Sequence, residues 1–126
     1  MTKKIIKTTA APAPIGPYNQ AILVDQTLYI SGQICIDPSS GNLKNDNIEE
    51  ETKQVMQNLK AILQEAEMDF SHVIKSSIFI SDMHQFSVIN EIYGSYFSSD
   101  FPVRETVQVA ALPKFVNVEI SMIAMK

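Results

Sequence analysis

The sequence predicts an α+β domain, two helices packed on one face of a mixed sheet, from three observations. Short apolar runs with the two-residue period of strands lie near both ends of the chain and again over Val73–Ser81. Two longer stretches, one opening at Asn47 and one near Met83, repeat their apolar residues at helical spacing. One strand separates these helices and hairpin-like runs flank them, the order that suits a helical layer on a sheet. At 126 residues the chain is expected to form one domain, 1–126, with a core that needs no disulfide or metal to hold it.

In chain order, Lys3–Thr8 is a short strand, followed by the proline-rich loop from Ala10 to Pro17. Ala21–Val24 and Leu28–Ser31 are split by Asp25-Gln26-Thr27, a hairpin signal. Gly32 falls in mid-strand, where glycine marks a bulge or a close backbone approach. Asp37–Asn42 is turn-rich. Asn47 followed by Glu50 resembles a capping box, and Ile48, Val55, Met56, Leu59, Ile62, Leu63 and Ala66 trace the buried face of the first helix. Glu49, Glu50 and Glu51 sit in its first turn, where acids favour the positive helix end, and are expected on a solvated face. The second helix is expected from about Met83 to Phe97, burying Phe86, Ile89, Ile92, Tyr93, Tyr96 and Phe97.

The last quarter reads as two more strands, giving six. Val107, Val109 and Ala111 alternate with Gln108 and Ala110, and Leu112-Pro113-Lys114 breaks the run because proline has no N–H for a ladder. From Val116 the alternation resumes, with Val118, Ile120, Met122 and Ala124 opposite Asn117, Glu119 and Ser121. An antiparallel pairing of these two strands would bring Arg104 and Glu119 near one sheet edge. In Val73–Ser81, apolar residues occur in both alternating sets, Ile74, Ile78 and Ile80 in one and Val73 and Phe79 in the other. The sheet face away from the helices is therefore expected to be covered by self-association.

Composition excludes several classes. Apolar residues are 45% and charged residues 19%, ordinary for a globular chain, while the net charge of −4 argues against a nucleic-acid partner. No apolar run approaches the roughly 18–20 residues needed to cross a bilayer. The lone Cys35, within Ile34-Cys35-Ile36, reads as a small buried hydrophobe in a reducing compartment. Lys3, Lys4 and Lys7 precede any acidic residue, as in a transit peptide, but Ile5-Ile6 opens a strand and Pro12 and Pro14 would break an amphipathic helix. A cytoplasmic protein is expected, with a mitochondrial location left open.

No phosphate-binding glycine loop and no G-x-S-x-G elbow is present, and His72 and His84 have no ligand spacing to each other or to Cys35. Neither a metal nor a cofactor is therefore expected. The residues with chemistry to offer are Tyr18, Gly32, Asn90, Arg104, which follows the stiffening Pro102-Val103, and Glu119. Taken singly, a loop arginine and a strand glutamate are most simply surface charges.

Together with their surroundings they carry a resemblance. Ala13-Pro14-Ile15-Gly16-Pro17-Tyr18, Ser31-Gly32-Gln33, Gln54–Leu59, Asp82-Met83, Val88–Tyr93, Pro102-Val103-Arg104, Val107–Pro113 and Val118-Glu119-Ile120 occur in order. The sequence resembles the RidA family, also called the YjgF family, nearly end to end. The resemblance implies a chorismate-mutase-like fold, a six-stranded mixed sheet with two helices on one face, assembled as a homotrimer with ligand clefts between subunits. It also implies hydrolysis of 2-imino acids, tautomers of the enamines released by pyridoxal-phosphate dehydratases, to 2-oxo acids and ammonia. In that reading Arg104 grips the substrate carboxylate bidentately. Tyr18 and Asn90 shape the pocket, backbone groups near Gly32 and Thr106 orient the imine, and Glu119 holds or activates water. No cofactor is implied, since a protonated imine is already electrophilic.

This sequence departs from the family pattern at three positions. Glu105 adds a negative charge beside Arg104, Thr106 stands where related proteins often carry cysteine, and Glu67 stands where a glycine usually closes the first helix. The competing reading is a non-catalytic 2-oxo acid sensor using the same cleft. Ribonuclease or translation-inhibitor activity, reported for some family members, is disfavoured by the acidic balance and the missing general-base pair.

Overall fold

The chain runs through β1 (Lys3–Ile6), β2 (Ala21–Val24), β3 (Thr27–Gln33), α1 (Ile48–Glu65), β4 (Val73–Ile80), α2 (Phe86–Gly94), β5 (Val103–Gln108) and β6 (Val118–Met125). The computed structural model describes residues 2–126. Its strands form one sheet in the spatial order β1-β2-β3-β6-β4-β5, antiparallel throughout except for the parallel β4–β5 pair. The expected mixed sheet of six strands with two helices on one face is what the chain forms.

The last two strands do not pair with each other as expected. β4 lies between them, antiparallel to β6 and parallel to β5. The α2 crossover makes this possible, because a parallel neighbour needs a connection long enough to return to the same sheet end. β5 also starts earlier than expected, at Val103 rather than Val107, so Arg104 is a strand residue and Val109–Ala111 lie beyond the strand. As an edge strand β5 has little buried surface, and its alternation therefore says little about its limits.

α1 forms because its first turn is capped and its apolar stripe is continuous. Asn47 Oδ1 accepts the Glu50 N–H at 2.8 Å, and Val55, Met56, Leu59, Ile62 and Leu63 are all fully buried against the sheet. Asn58 lies on the same face without penalty because its amide donates to the Ile34 and Ile36 carbonyls at 3.0 and 2.9 Å. One member of the acidic run contradicts expectation. Glu51 is buried rather than solvated, because it points from the helix towards the start of β6. The helix closes through Glu67 at φ 59°, with Met68 N–H on the Leu63 carbonyl at 2.8 Å. A glutamate here occupies the left-handed conformation that glycine adopts freely. Glu67→Gly is therefore expected to stabilise the fold by about 1 kcal/mol, some ~2–5 °C in thermal unfolding. An unchanged or lower Tm would show that this turn carries no strain.

α2 is shorter than the expected Met83–Phe97. A 3-10 turn over Met83–Gln85, capped by Asp82 Oδ1 on the His84 N–H at 2.9 Å, leads into Phe86. The helix ends at Gly94, and Tyr96 and Phe97 instead stack edge-on against Phe70, each with ring centroids 5.5 Å away.

On the helix side of the sheet Leu28, Ile30, Ile78, Ile80, Val118, Ile120 and Met122 make the core. The other side is apolar too but only half-covered: Ile22, Tyr29, Phe79, Val103, Val107 and Ile123 alternate with the core residues of their strands. In β4 the register shifts between Val73 and Lys75, so Val73 is buried and Ile74 exposed. Ile74 therefore does not share the face of Ile78 and Ile80, because the bulge breaks the alternation.

Candidate functional site

The residues singled out by sequence fall into two groups on opposite faces of the sheet. Within β6, Val118 and Ile120 turn into the core, so Glu119 points to the other face. There it borders a cavity of ≈360 Å³ lined also by Ile15, Tyr18, Gln20, Gly32 and Pro113. Burial pushes the Glu119 carboxyl above the ordinary carboxylate range. Its neighbour Gly32 lies at a register shift where β3 meets β6. A Cβ built on Gly32 would stand 2.8 Å from Glu119 Cδ and 3.0 Å from its Cγ. Glycine is needed for space rather than for a left-handed backbone.

Gly32→Ala should accordingly leave the fold intact, since the flexible carboxylate end can swing aside. The displaced carboxylate should cost about 10²-fold in turnover if it acts on substrate. Steady-state kinetics beside a thermal melt would check this, and wild-type turnover in the alanine variant would contradict it.

The tyrosine arrives on a long loop, residues 7–20, that has no regular structure yet is well fastened. Buried Gln20 accepts the Thr8 N–H at 2.8 Å and donates to the Thr8, Ala11 and Pro12 carbonyls at 3.0, 3.3 and 2.8 Å. Ser31 Oγ donates to the Asn19 carbonyl at 2.6 Å, tying the loop end to β3. Tyr18 is half-exposed at the cavity rim, its hydroxyl accepting the Ile15 N–H at 3.2 Å, so its own proton is free to be donated.

Arg104 lies across the sheet. It is the register partner of Ser76 in β4 and shares the helix face with it. Its guanidinium donates to Asn90 Oδ1 at 2.7 Å and stands 5.3 Å from the Tyr93 ring centroid and 5.6 Å from that of Phe86. Phe86, Asn90 and Tyr93 are spaced i, i+4, i+7 along α2, so one helix face makes the whole cradle. Tyr93 is itself locked by its hydroxyl donating to Ser76 Oγ at 2.9 Å. Asn90 and Arg104 line a second cavity of ≈470 Å³ with Tyr93, Gly94, Phe101 and Pro102. Thr106, two residues on, faces the same way, and among the described residues its buried Oγ1 finds no hydrogen-bond partner.

Within one chain, then, Arg104 and Glu119 are not brought together. They sit on different faces, two strands and three register positions apart, roughly 14 Å along the sheet. The charge beside Arg104 also turns away. Glu105 alternates to the opposite face, where Ser77 Oγ donates to its carboxylate and Lys75 Nζ lies 3.5 Å off. The Ser77 hydrogen bond, with Lys75 adding to it, holds the Glu105 carboxyl below its usual range. Glu105 therefore does not compete for an anion at Arg104.

Cys35 is a free, buried thiol pushed up to about 11 by burial and then by the Glu51 charge, which makes it a poor nucleophile. His84 pairs with Asp82 at 2.8 Å at the surface, and His72 Nδ1 accepts the Asp69 N–H at 3.0 Å. Among the described residues no three His, Cys, Asp or Glu side chains converge as metal ligands. Among the described residues no helix is long and apolar enough to cross a membrane. Sequence reasoning passed over Gln20, Phe86 and Tyr93. Helical spacing placed both aromatics on one face of α2, but apolar periodicity reads them only as core.

This architecture is the chorismate-mutase-like α+β fold, with an acidic cavity of small-molecule size on its open face and an anchored cation near its free edge. The family described as Endoribonuclease L-PSP matches residues 8–126, and the chain belongs to it, within the RidA group. Human 2-iminobutanoate/2-iminopropanoate deaminase is 48% identical over 126 residues, covering 100% of this chain and 92% of that protein. The crystal structure of YyfA from Yersinia pestis, a conserved Rid-family protein, superposes with a TM-score of 0.96 at 44% identity, covering 99% of this chain and 100% of its own. E. coli TdcF, solved with bound serine, gives a TM-score of 0.94 at 37% identity over 98% of both chains. The resemblance drawn from the motifs is thereby borne out.

Proposed function

We propose that the protein is a 2-iminobutanoate/2-iminopropanoate deaminase, a single domain acting as a homotrimer. In it the Arg104 half-site of one subunit completes the Glu119 half-site of the next. One observation carries the arrangement: a carboxylate cavity and an anchored arginine stand on different faces of one chain, with an apolar sheet face exposed between them. Full-length relatives named for this activity at 48% and 50% identity support the chemistry.

The substrate 2-iminium carboxylate would place its carboxylate on the Nε–Nη2 edge of the Arg104 guanidinium, Asn90 holding Nη1. Thr106 Oγ1 and backbone groups near Gly32 would orient the C=N group, with Tyr18 donating from the rim. Glu119 takes a proton from water as the water oxygen bonds to C2, and the C=N π pair moves to nitrogen. Glu119 then returns that proton to the carbinolamine nitrogen, the hydroxyl proton passes to solvent as the C–N bond breaks, and a 2-oxo acid and ammonia leave with the carboxylate restored. Orientation and a fixed electrostatic environment supply the acceleration.

The test is a coupled assay in which a threonine dehydratase generates the enamine and imine in place. Faster 2-oxo acid release with wild type is expected. Binding of 2-oxobutanoate without any acceleration would replace the enzyme by the sensor reading. Sedimentation at micromolar concentration is expected to give a trimer, and a stable monomer would remove the composite cleft.

A further inference from the structure

Glu51 is a buried carboxylate that the proposed reaction does not use. It is 0% exposed, it projects from the first turn of α1, and no lysine or arginine pairs with it among the described residues. Its charge is met entirely by three donors on the segment that opens β6. Asn117 N–H donates at 2.6 Å, Asn117 Nδ2 at 2.8 Å and Val118 N–H at 3.1 Å. Charged hydrogen bonds of this kind are short and strong, and removing the acceptor would strand three donors in the interior. Asn117 is held from its other side as well. Ser81 N–H donates to its carbonyl at 3.0 Å and Ser81 Oγ to its Oδ1 at 3.1 Å.

What this clamp fixes lies next to it in sequence. Glu119 is the residue after Val118, and a strand residue cannot change depth without its neighbours. The segment before the clamp is not self-supporting, since Lys114 and Phe115 both stand at φ 55°, a conformation costly for bulky residues. That same loop carries Pro113 into the wall of the Glu119 cavity. A strained loop therefore enters the sheet at the point where α1 grips it, one residue before the cavity carboxylate.

We infer that Glu51 is a positioning residue for Glu119: by clamping Asn117 and Val118 to α1 it sets where the Glu119 carboxylate stands beside Gly32. The inference rests on the deaminase reading for its catalytic consequence and on geometry alone for its structural one. Two readouts keep these apart. The first is the Glu119 titration, followed by carboxyl carbon NMR in wild type and Glu51→Gln. With the clamp loosened, the Glu119 midpoint should fall towards the ordinary carboxylate range as its side chain gains solvent. An unchanged midpoint in folded Glu51→Gln overturns the inference, whatever the turnover shows.

The second readout is kinetic. Glu51→Gln should lower kcat by about 10-fold or more with KM within about two-fold, because the carboxylate anchor at Arg104 is untouched. Glu51→Asp, which keeps the charge but shortens the reach, should fall between wild type and Glu51→Gln. Ile62→Val, a core change elsewhere on α1, is the control, since a comparable loss of Tm there should leave kcat unchanged. Equal kcat losses in Glu51→Gln and Ile62→Val at matched Tm would reduce Glu51 to a stability residue. A wild type without turnover would sink the deaminase reading and leave the NMR comparison to decide the positioning.

Discussion

Replacing Arg104 by alanine is expected to lower kcat/KM for a 2-imino acid by about 10³-fold while leaving Tm nearly unchanged. The guanidinium is exposed enough to meet a ligand yet fixed by Asn90 at 2.7 Å and by two aromatic rings. Each hydrogen bond from it to a carboxylate contributes roughly 1.5–3 kcal/mol, and two of them span about 10²–10⁴ in rate. Arg104→Lys should recover little of this. An ammonium is a point charge that cannot present two parallel N–H groups to a carboxylate. Asn90→Ala should cost less than Arg104→Ala, because it frees the guanidinium without deleting it. A lysine variant close to wild type would mean that the anion is held by charge alone and that the planar cradle is incidental.

Glu119→Gln should lower kcat by about 10²–10³-fold, the range for loss of a positioned general base. Its pH behaviour follows from burial, which raises the folded-state pKa. The basic form is needed for water activation, so kcat/KM should fall with decreasing pH along a limb lying above the ordinary glutamate value of about 4.3. Stability should move the other way. With the folded pKa raised, the favourable contribution of this group is full below the unfolded pKa and lost as pH rises through the folded one. Above its folded-state pKa the charged side chain is therefore a liability to the fold, and there Glu119→Gln should raise Tm while losing activity. A variant with both lower Tm and normal activity would place the carboxylate in a structural role. The opposite signs of the two effects mark a residue kept for function.

Glu51 and Glu119 are placed by contacts that no local stretch of sequence carries. Glu49, Glu50 and Glu51 are alike in composition, and the dipole of α1 explains acids at all three positions. Which of them is buried depends on where β6 begins beneath the helix, a contact between residues 66 positions apart. Likewise Tyr18, Gly32 and Glu119 carried no signal of their own proximity. The glycine could be read as a close approach, but the atom approaching it was Glu119 Cδ, supplied by a strand 87 positions later.

The sequence by itself determined the class of fold and the placement of α1 with its Asn47 cap. These are local quantities: hydrophobic period, capping chemistry and proline or glycine punctuation act over a few residues, and α1 obeys them. Tertiary structure alone decided that β4 separates β5 from β6, that Glu105 turns towards Ser77 and Lys75, and that Arg104 and Glu119 occupy opposite faces. Strand order and the bulge at Val73–Lys75 arise from competition among non-local pairings, and a shift of one register position reverses every side chain's face. Alternation along a strand can say which residues share a face; which face meets the helices is settled only when the sheet is assembled.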